Sequence, residues 1–206
     1  MTTDRFAPRS AADIGRLVLE HPLAWVTSGS GDDARATPLP IRPILSPDGG
    51  VQQLIGHFAR SNPQVEALRR DPRASILFMG PHGYISPSWM SDRAQAPTWN
   101  YVTGQFIVDI TFIEDDQGVE ALLHDLVGAM EADRPAAWSI AEMGARYKSL
   151  SGRIIGFTGT IREQRVKFKL GQDERDDVFA DIMAGLEREG ERDLRAWMNA
   201  HGRPLV

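Results

Sequence analysis

Hydrophobic positions along this chain recur with two different spacings, and the changes from one to the other mark out its elements. After Ser10-Ala11-Ala12-Asp13, residues Ile14, Leu17 and Val18 share one helical face, which predicts a helix that stops before Pro22. Leu23 to Ser28 reads as a strand and Gly29-Ser30-Gly31-Asp32 as its turn. Ala36 to Ile41 is a second extended segment, and its Pro38 and Pro40 suit a sheet edge or a ligand-facing position. Ser46-Pro47-Asp48-Gly49-Gly50 is a strong turn, and Val51 to Ala59 is a third strand. Asn62-Pro63 then opens a short helix, with Asn as N-cap, Pro at the first helical position, and Val65 and Leu68 as its apolar face.

Ala74 to Met79 is apolar on both faces, so it is expected to lie centrally in a sheet, followed by a turn and a further strand through Gly80 to Trp89. Thr98 to Ile113 is long enough for a bent, barrel-type strand, with Gly104 as the bend. Leu122, Leu123, Leu126 and Val127 predict a helix over Gln117 to Met130, and Ala141 to Leu150 reads as another. Arg153 to Leu170 is a last hairpin or long strand. From Glu174 to His201 the chain is charged and helical, with the stripe Val178, Phe179, Ile182, Met183 and Leu186 facing the barrel or a partner subunit. Many strands first, with helices between and at the end, predict an α+β fold built on an antiparallel barrel with peripheral and C-terminal helices. One domain over 1–206 is expected, with 174–206 as a helical extension.

Composition narrows the class. A length of 206 residues suits one core, and 42% hydrophobic with 25% charged residues argues against disorder. The longest apolar runs are strand-sized, so no helical membrane span is expected, and Met1 to Phe6 lacks the basic-then-apolar order of a signal peptide. With no cysteine there is no disulfide, thiolate nucleophile or cysteine metal site, and a cytoplasmic location is expected. A net charge of -5 opposes bulk attraction to nucleic acid, while leaving room for a local basic face.

Three segments could carry chemistry. Gly56-His57-Phe58-Ala59-Arg60-Ser61-Asn62-Pro63 runs from a strand end into a helix start, where amides, Ser61, Arg60 and His57 could converge on a phosphate. Taken alone, the segment reads more simply as a capped helix start with an exposed Arg and a satisfied His. Gly80-Pro81-His82-Gly83-Tyr84-Ile85-Ser86-Pro87-Ser88-Trp89, with Pro97-Thr98-Trp99-Asn100-Tyr101, combines aromatic planes, hydroxyls and an amide that suit a flat, polar-edged ligand; the same residues could be core anchors with Ser-Pro punctuation. Lys167-Phe168-Lys169-Leu170-Gly171-Gln172 puts two lysines on one strand face. No Gly-x-Ser-x-Gly elbow, His-Glu-x-x-His, P-loop or dinucleotide fingerprint is present, and the five histidines lack metal-ligand spacing. No metal site and no catalytic acid or base are therefore assigned. Chemistry here would be borrowed from a cofactor.

Gly56-His57-x-Ala59-Arg60-x-Asn62-Pro63, Gly80-Pro81-x-x-Tyr84-Ile85-Ser86-Pro87-Ser88-Trp89, Pro97-Thr98-Trp99-Asn100-Tyr101 and Lys167-x-Lys169-Leu170-x-Gln172 occur in that order, and over roughly residues 6–175 the chain resembles the PaiB family of FMN-binding regulators. The resemblance implies a flavin-type split barrel akin to pyridoxamine-phosphate-oxidase-like proteins, and a homodimer with FMN at the subunit interface. It also implies a role in negative regulation of transcription, with DNA as a further partner. Carried over by position, His57, Arg60, Ser61 and Asn62 would hold the phosphate and ribityl end of FMN. Tyr84, Ser86, Trp89, Thr98, Trp99 and Asn100 would shape the ring pocket, Lys169 and Gln172 would complete it, and Thr37, Pro38 and Leu39 would run beside the ring edge. As an enzyme such a protein would be an FMN-dependent oxidoreductase moving hydride from a nicotinamide donor. As a DNA-binding repressor it would keep the flavin as a sensor or vestige. A haem-binding barrel with His57 or His82 as ligand is a third reading. The chain departs from the family where Pro38 replaces a common His and where Gly171 and Asp173 replace Ser and Asn, which removes a donor and adds repulsion towards an anion.

Overall fold

Two hairpins adjacent in the chain lie at opposite edges of one sheet, and that placement dictates the architecture. The computed structural model describes residues 4–201. In it β1 (Leu23–Ser28) pairs antiparallel with β2 (Arg35–Pro40), and β3 (Arg42–Leu45) with β4 (Val51–Ala59). Three longer strands, β5 (Arg73–Ile85), β6 (Thr98–Ile113) and β7 (Ile154–Lys169), fill the space between them in the order β2-β1-β5-β6-β7-β4-β3. Only Ile41 separates β2 from β3. A single residue reaches about 3.5 Å, so the two sheet edges must meet and the sheet curls into a barrel split along this seam. Ile41 is fully buried there, and its N–H donates to the Pro22 carbonyl at 2.8 Å.

Alternate residues of these strands fill the interior. Phe58 packs on Phe157 at 5.2 Å between ring centroids, and Phe78 meets Phe106 edge-on at 5.5 Å. Each such side chain removed from water contributes about 1.5–3 kcal/mol. Three helical elements close the barrel. The first, α1 (Ala11–Glu20), starts on a capping box between Ser10 and Asp13 and buries Leu17 and Val18. A short α2 (Pro63–Arg70) follows β4 and buries Val65 and Leu68. Between β6 and β7 lie α3 (Asp116–Glu131) and α4 (Arg146–Ser151), which sit more on the surface. The third closing element is the C-terminal pair α5 (Asp176–Glu189) and α6 (Arg192–His201), separated at Gly190, whose left-handed φ of 79° ends α5. Val178, Ile182 and Leu186 of the expected stripe are buried in the barrel's core, with Phe179 and Met183 packed at its margin.

The strand boundaries Leu23–Ser28, Val51–Ala59 and Thr98–Ile113 agree with the hydrophobic pattern. Four local features differ. Arg42-Pro43-Ile44-Leu45 forms an edge strand too short and too interrupted by Pro to show a period. Gly80 to Gly83 is no turn: β5 runs through it, and the pairing passes from Met79↔Thr103 to His82↔Tyr101 across a bulge. The segment expected as a hairpin or long strand is one continuous strand, β7, because β6 and β4 both pair with it. Ala141 to Leu150 breaks at Gly144 into a 3-10 turn, Ile140–Met143, and α4.

Candidate functional site

The outward face of β1, β5, β6 and β7 is a sheet surface that no described helix covers. The strand registers set its side chains in rows: Pro38, Trp25, Leu77, Gln105 and Arg165; then Met79, Thr103 and Lys167; then His82, Tyr101 and Lys169; then Tyr84 and Trp99. Large apolar groups stand in water here, with Trp25 52% and Trp99 54% exposed. Part of the face forms an open groove of about 1010 Å³ lined by Trp25, Leu77, Met79, Thr103, Gln105 and Lys167, with Asp4 at its rim. Contiguous apolar surface rimmed by polar groups marks a binding face.

Its polar groups are arranged around the aromatics. Tyr84 meets Trp99 edge-on at 6.2 Å, and His82 lies nearly parallel to Trp99 at 6.3 Å. His82 Nδ1 is 3.0 Å from the Gly80 carbonyl, which can only accept, so Nδ1 carries a proton and donates. Lys169 donates to the Thr98 hydroxyl, and the Lys167 ammonium stands 5.3 Å above the Phe6 ring. Both lysines share the outward face of β7, as the alternation predicts.

A second group gathers where β4 enters α2. The Asn62 side-chain oxygen accepts from the Gln64 amide at 2.9 Å, while its Nδ2 donates to the Thr37 hydroxyl at 3.0 Å. Thr37 donates in turn to Gln64 Oε1 at 2.7 Å, and Gln64 Nε2 reaches the Val26 carbonyl and Ser28. This network around the fully buried Gln64 ties β2, β1 and α2 together across the barrel seam. It also uses the amides that the sequence offered to an anion, since Gln64 N is capped and Val65 N donates to the Asn62 carbonyl. What remains for an anion is Arg60, Ser61 and His57. Arg60 and Ser61 are exposed, and among the described residues the Arg60 guanidinium makes no side-chain hydrogen bond. His57 Nδ1 is buried without a partner, and burial lowers the imidazole's pKa, which keeps it neutral.

The remaining candidates point elsewhere. Asn100 is 2% exposed, beneath α6, with Nδ2 3.5 Å from the Met198 sulfur. Trp89 lies against α5, where a Cβ on Gly185 would come within 2.5 Å of the indole. Ser86 caps the 3-10 turn Pro87–Trp89, Leu39 is in the core, and Gln172 folds back on the Phe168 carbonyl and the Leu170 amide. Gly171 has φ 80°, a conformation that a Ser would strain. Pro38, Tyr84, Trp99 and Lys169 with Thr98 thus belong to the open face, and His57, Arg60, Ser61 and Asn62 with Thr37 belong to the corner. Trp25, Leu77 and Met79 escaped the sequence reading. For Leu77 and Met79 the signal was the unbroken apolar run Ile76 to Met79, which reads as burial on both faces when the second face is in fact open. Gln64 was legible only as a polar residue in the buried stripe of α2.

Comparison with known proteins adds a lineage. Residues 1–163 match the family described as "Putative FMN-binding domain". The chain is 28% identical over 185 residues to the protease synthase and sporulation protein PAI 2 of Bacillus subtilis, covering 89% of this chain and 87% of that one. It is also 28% identical over 132 residues to an uncharacterized protein of Saccharomyces cerevisiae, covering 60% and 78%. Among solved structures, the FAD and heme binding protein from Mycobacterium smegmatis superposes with a TM-score of 0.61 at 19% identity, covering 86% of this chain and 79% of that one. The flavocytochrome Anf3 from Azotobacter vinelandii gives 0.60 at 15%, covering 82% and 72%. Both likenesses show a shared fold.

Proposed function

The chain belongs to the FMN-binding domain family, and from that premise we propose that it is an FMN-binding split-barrel protein that works as a homodimer. The observation that carries this reading is the open aromatic face of β1, β5, β6 and β7, which a second subunit would cover. Each chain supplies two separate half-sites. One is the aromatic and lysine-bearing face, and the other is the corner of His57, Arg60 and Ser61. Bringing the face of one subunit to the corner of the other would assemble a pocket for a planar ring with a phosphate tail.

The residues present fit such a group. Arg60 would hold the phosphate by a charge-assisted bond, Ser61 would donate to it, and neutral His57 would offer an unmatched ring nitrogen. Trp99 and Tyr84 would shape the ring pocket, and Lys169, steadied by Thr98, would donate at its rim. Thr37 and Asn62 would act through the network that positions the corner. Bound FMN supplies hydride and single-electron transfer, and the chain supplies orientation and exclusion of water.

The test is the spectrum of the purified protein, with FMN titration and a measured solution mass. Flavin absorption and a dimer mass are expected; a colourless preparation that takes up no FMN sinks the reading. Arg60→Ala should weaken FMN binding about tenfold or more, and unchanged affinity would remove Arg60 from the site. A regulatory role is the second reading, favoured by the similarity to PAI 2. A gel shift on the chain's own upstream DNA at low salt tests it, and no shift counts against it.

A further inference from the structure

The hydrogen bonds around Gln64 run in one direction, and that direction ends at the corner. A carbonyl can only accept, so the Val26 oxygen fixes which end of the buried Gln64 amide is Nε2, and its two hydrogens go to Val26 and to the Ser28 hydroxyl, each at 3.0 Å. Oε1 then faces Thr37 and takes its single hydroxyl hydrogen at 2.7 Å. With that hydrogen committed, Thr37 can only accept from Asn62, and one Nδ2 hydrogen meets it at 3.0 Å. The far end sets the same polarity, because the Gln64 backbone amide donates to Asn62 Oδ1 at 2.9 Å. The second Nδ2 hydrogen of Asn62 has no acceptor among the described residues. Half-buried Asn62 follows exposed Arg60 and Ser61 in a turn closed by its own N–H on the Ala59 carbonyl at 2.9 Å.

We propose that Gln64 and Thr37 are positioning residues of this corner, a relay that holds Asn62 as a fixed donor and makes the corner select a phosphorylated flavin over riboflavin. The inference rests on the flavin reading above, and it places Thr37 behind the phosphate and not beside the ring edge that family resemblance implies. A helix cap alone would give the Asn62 amide one contact to turn about; the second contact, to Thr37, fixes its plane. A donor fixed before the anion arrives loses less freedom on binding, and an amide turned the other way would set a carbonyl oxygen against the phosphate. Fastening α2 to β1 would need only Gln64 and Val26. The continuation through Thr37 to Asn62 is the part that a purely structural tie does not require.

The experiment is titration of flavin-free protein with FMN and with riboflavin, in the parent chain and in Gln64→Met, Thr37→Val and Thr37→Ser. The parent should bind FMN about a hundredfold more tightly than riboflavin. Gln64→Met keeps the volume and removes the amide, and Thr37→Val keeps the shape and removes the hydroxyl. Each should weaken FMN about tenfold and leave riboflavin unchanged, while Thr37→Ser, which keeps the hydroxyl, should bind FMN as the parent does. The double variant should lose no more than either single one, since both break one relay. Should Gln64→Met fail to fold, Thr37→Val against Thr37→Ser decides the matter alone. Unchanged FMN affinity in Thr37→Val, an equal loss of FMN and riboflavin, or additive losses in the double variant overturns the inference. A parent that binds FMN and riboflavin alike also overturns it, and leaves the flavin reading standing. Binding of neither overturns both.

Discussion

The two sides of the β5–β6 ladder carry residues from the same short motif and treat them oppositely. On the covered side, Asn100 lies under α6, Gly83 is close enough to α6 that a Cβ would meet Leu194 at 2.9 Å, and the turn that follows β5 sets Trp89 against Gly185. On the open side, His82, Tyr84 and Trp99 face water as a set of rings in mutual contact. A linear motif that looks like one site is therefore two interleaved ones. Half of it fastens the C-terminal helices to the barrel, and half is presented to whatever binds the open face. Residues on the first side should respond in stability, and residues on the second in binding.

The strongest way to break that distinction is Trp197→Ala. Trp197 is 1% exposed, meets Phe168 edge-on at 5.5 Å, donates to Glu20 at 2.9 Å and lies 4.2 Å beneath the Arg16 guanidinium. Its loss should cost about 3–5 kcal/mol in denaturant unfolding, a large part of a typical domain's stability of about 5–15 kcal/mol. Gly185→Ala should follow, at about 1–3 kcal/mol, because the added methyl collides with the Trp89 indole. Unchanged midpoints for both would show that the C-terminal helices are not fastened this way.

Acid should loosen the same side. His201, stacked on Trp197 and facing Asp13, Arg9, Arg16 and Glu20, has its pKa lowered by burial, as has His21 nearby. A lowered folded-state pKa means the unfolded chain takes the proton first. Stability is then full above the ordinary histidine pKa of 6.5 and is lost as the pH falls below it. Thermal melts from about pH 8 to about pH 5 should show a falling midpoint, with a shallower slope in His201→Gln; identical slopes would acquit His201. The smallest stability effect belongs to Trp99→Ala, within about 0.5 kcal/mol of the parent because the ring stands in water, yet this change should weaken FMN binding. A large stability loss with intact binding would reverse the comparison.

Much of the fold was legible because its signals are local. The Ser10 and Asn62 caps, the Pro22 stop and the alternation through β1, β4 and β6 each act within a few residues. What escaped depends on partners distant in sequence. Gly80-Pro81 has the composition of a turn, and only the β6 register shows that it is a bulge which turns His82 and Tyr84 outward. The continuous apolar run of Ile76 to Met79 cannot tell burial on both faces from burial on one with a binding surface on the other. Tyr84 and Trp99 are directly paired on adjacent strands, so the motif placed them together. Trp25, some fifty residues upstream of Leu77, joins them only through the strand order. Asn100 was given a ligand role by resemblance, and its alternation with Trp99 already placed it on the other face.

The one-residue seam at Ile41 also bears on how the chain finds its fold. Because the two edge hairpins are neighbours along the backbone, bringing them together costs almost no loop entropy, and that closure is present from the first encounter. The search is displaced to the ladder next to the β3 edge, where β4 must find β7 and partners such as Gln53 and Thr160 are farther apart in the chain than any others in the sheet. Long-range pairing of that kind slows folding. The barrel is thus already closed where it is split, and the kinetic cost falls on a seam that looks continuous in the finished structure.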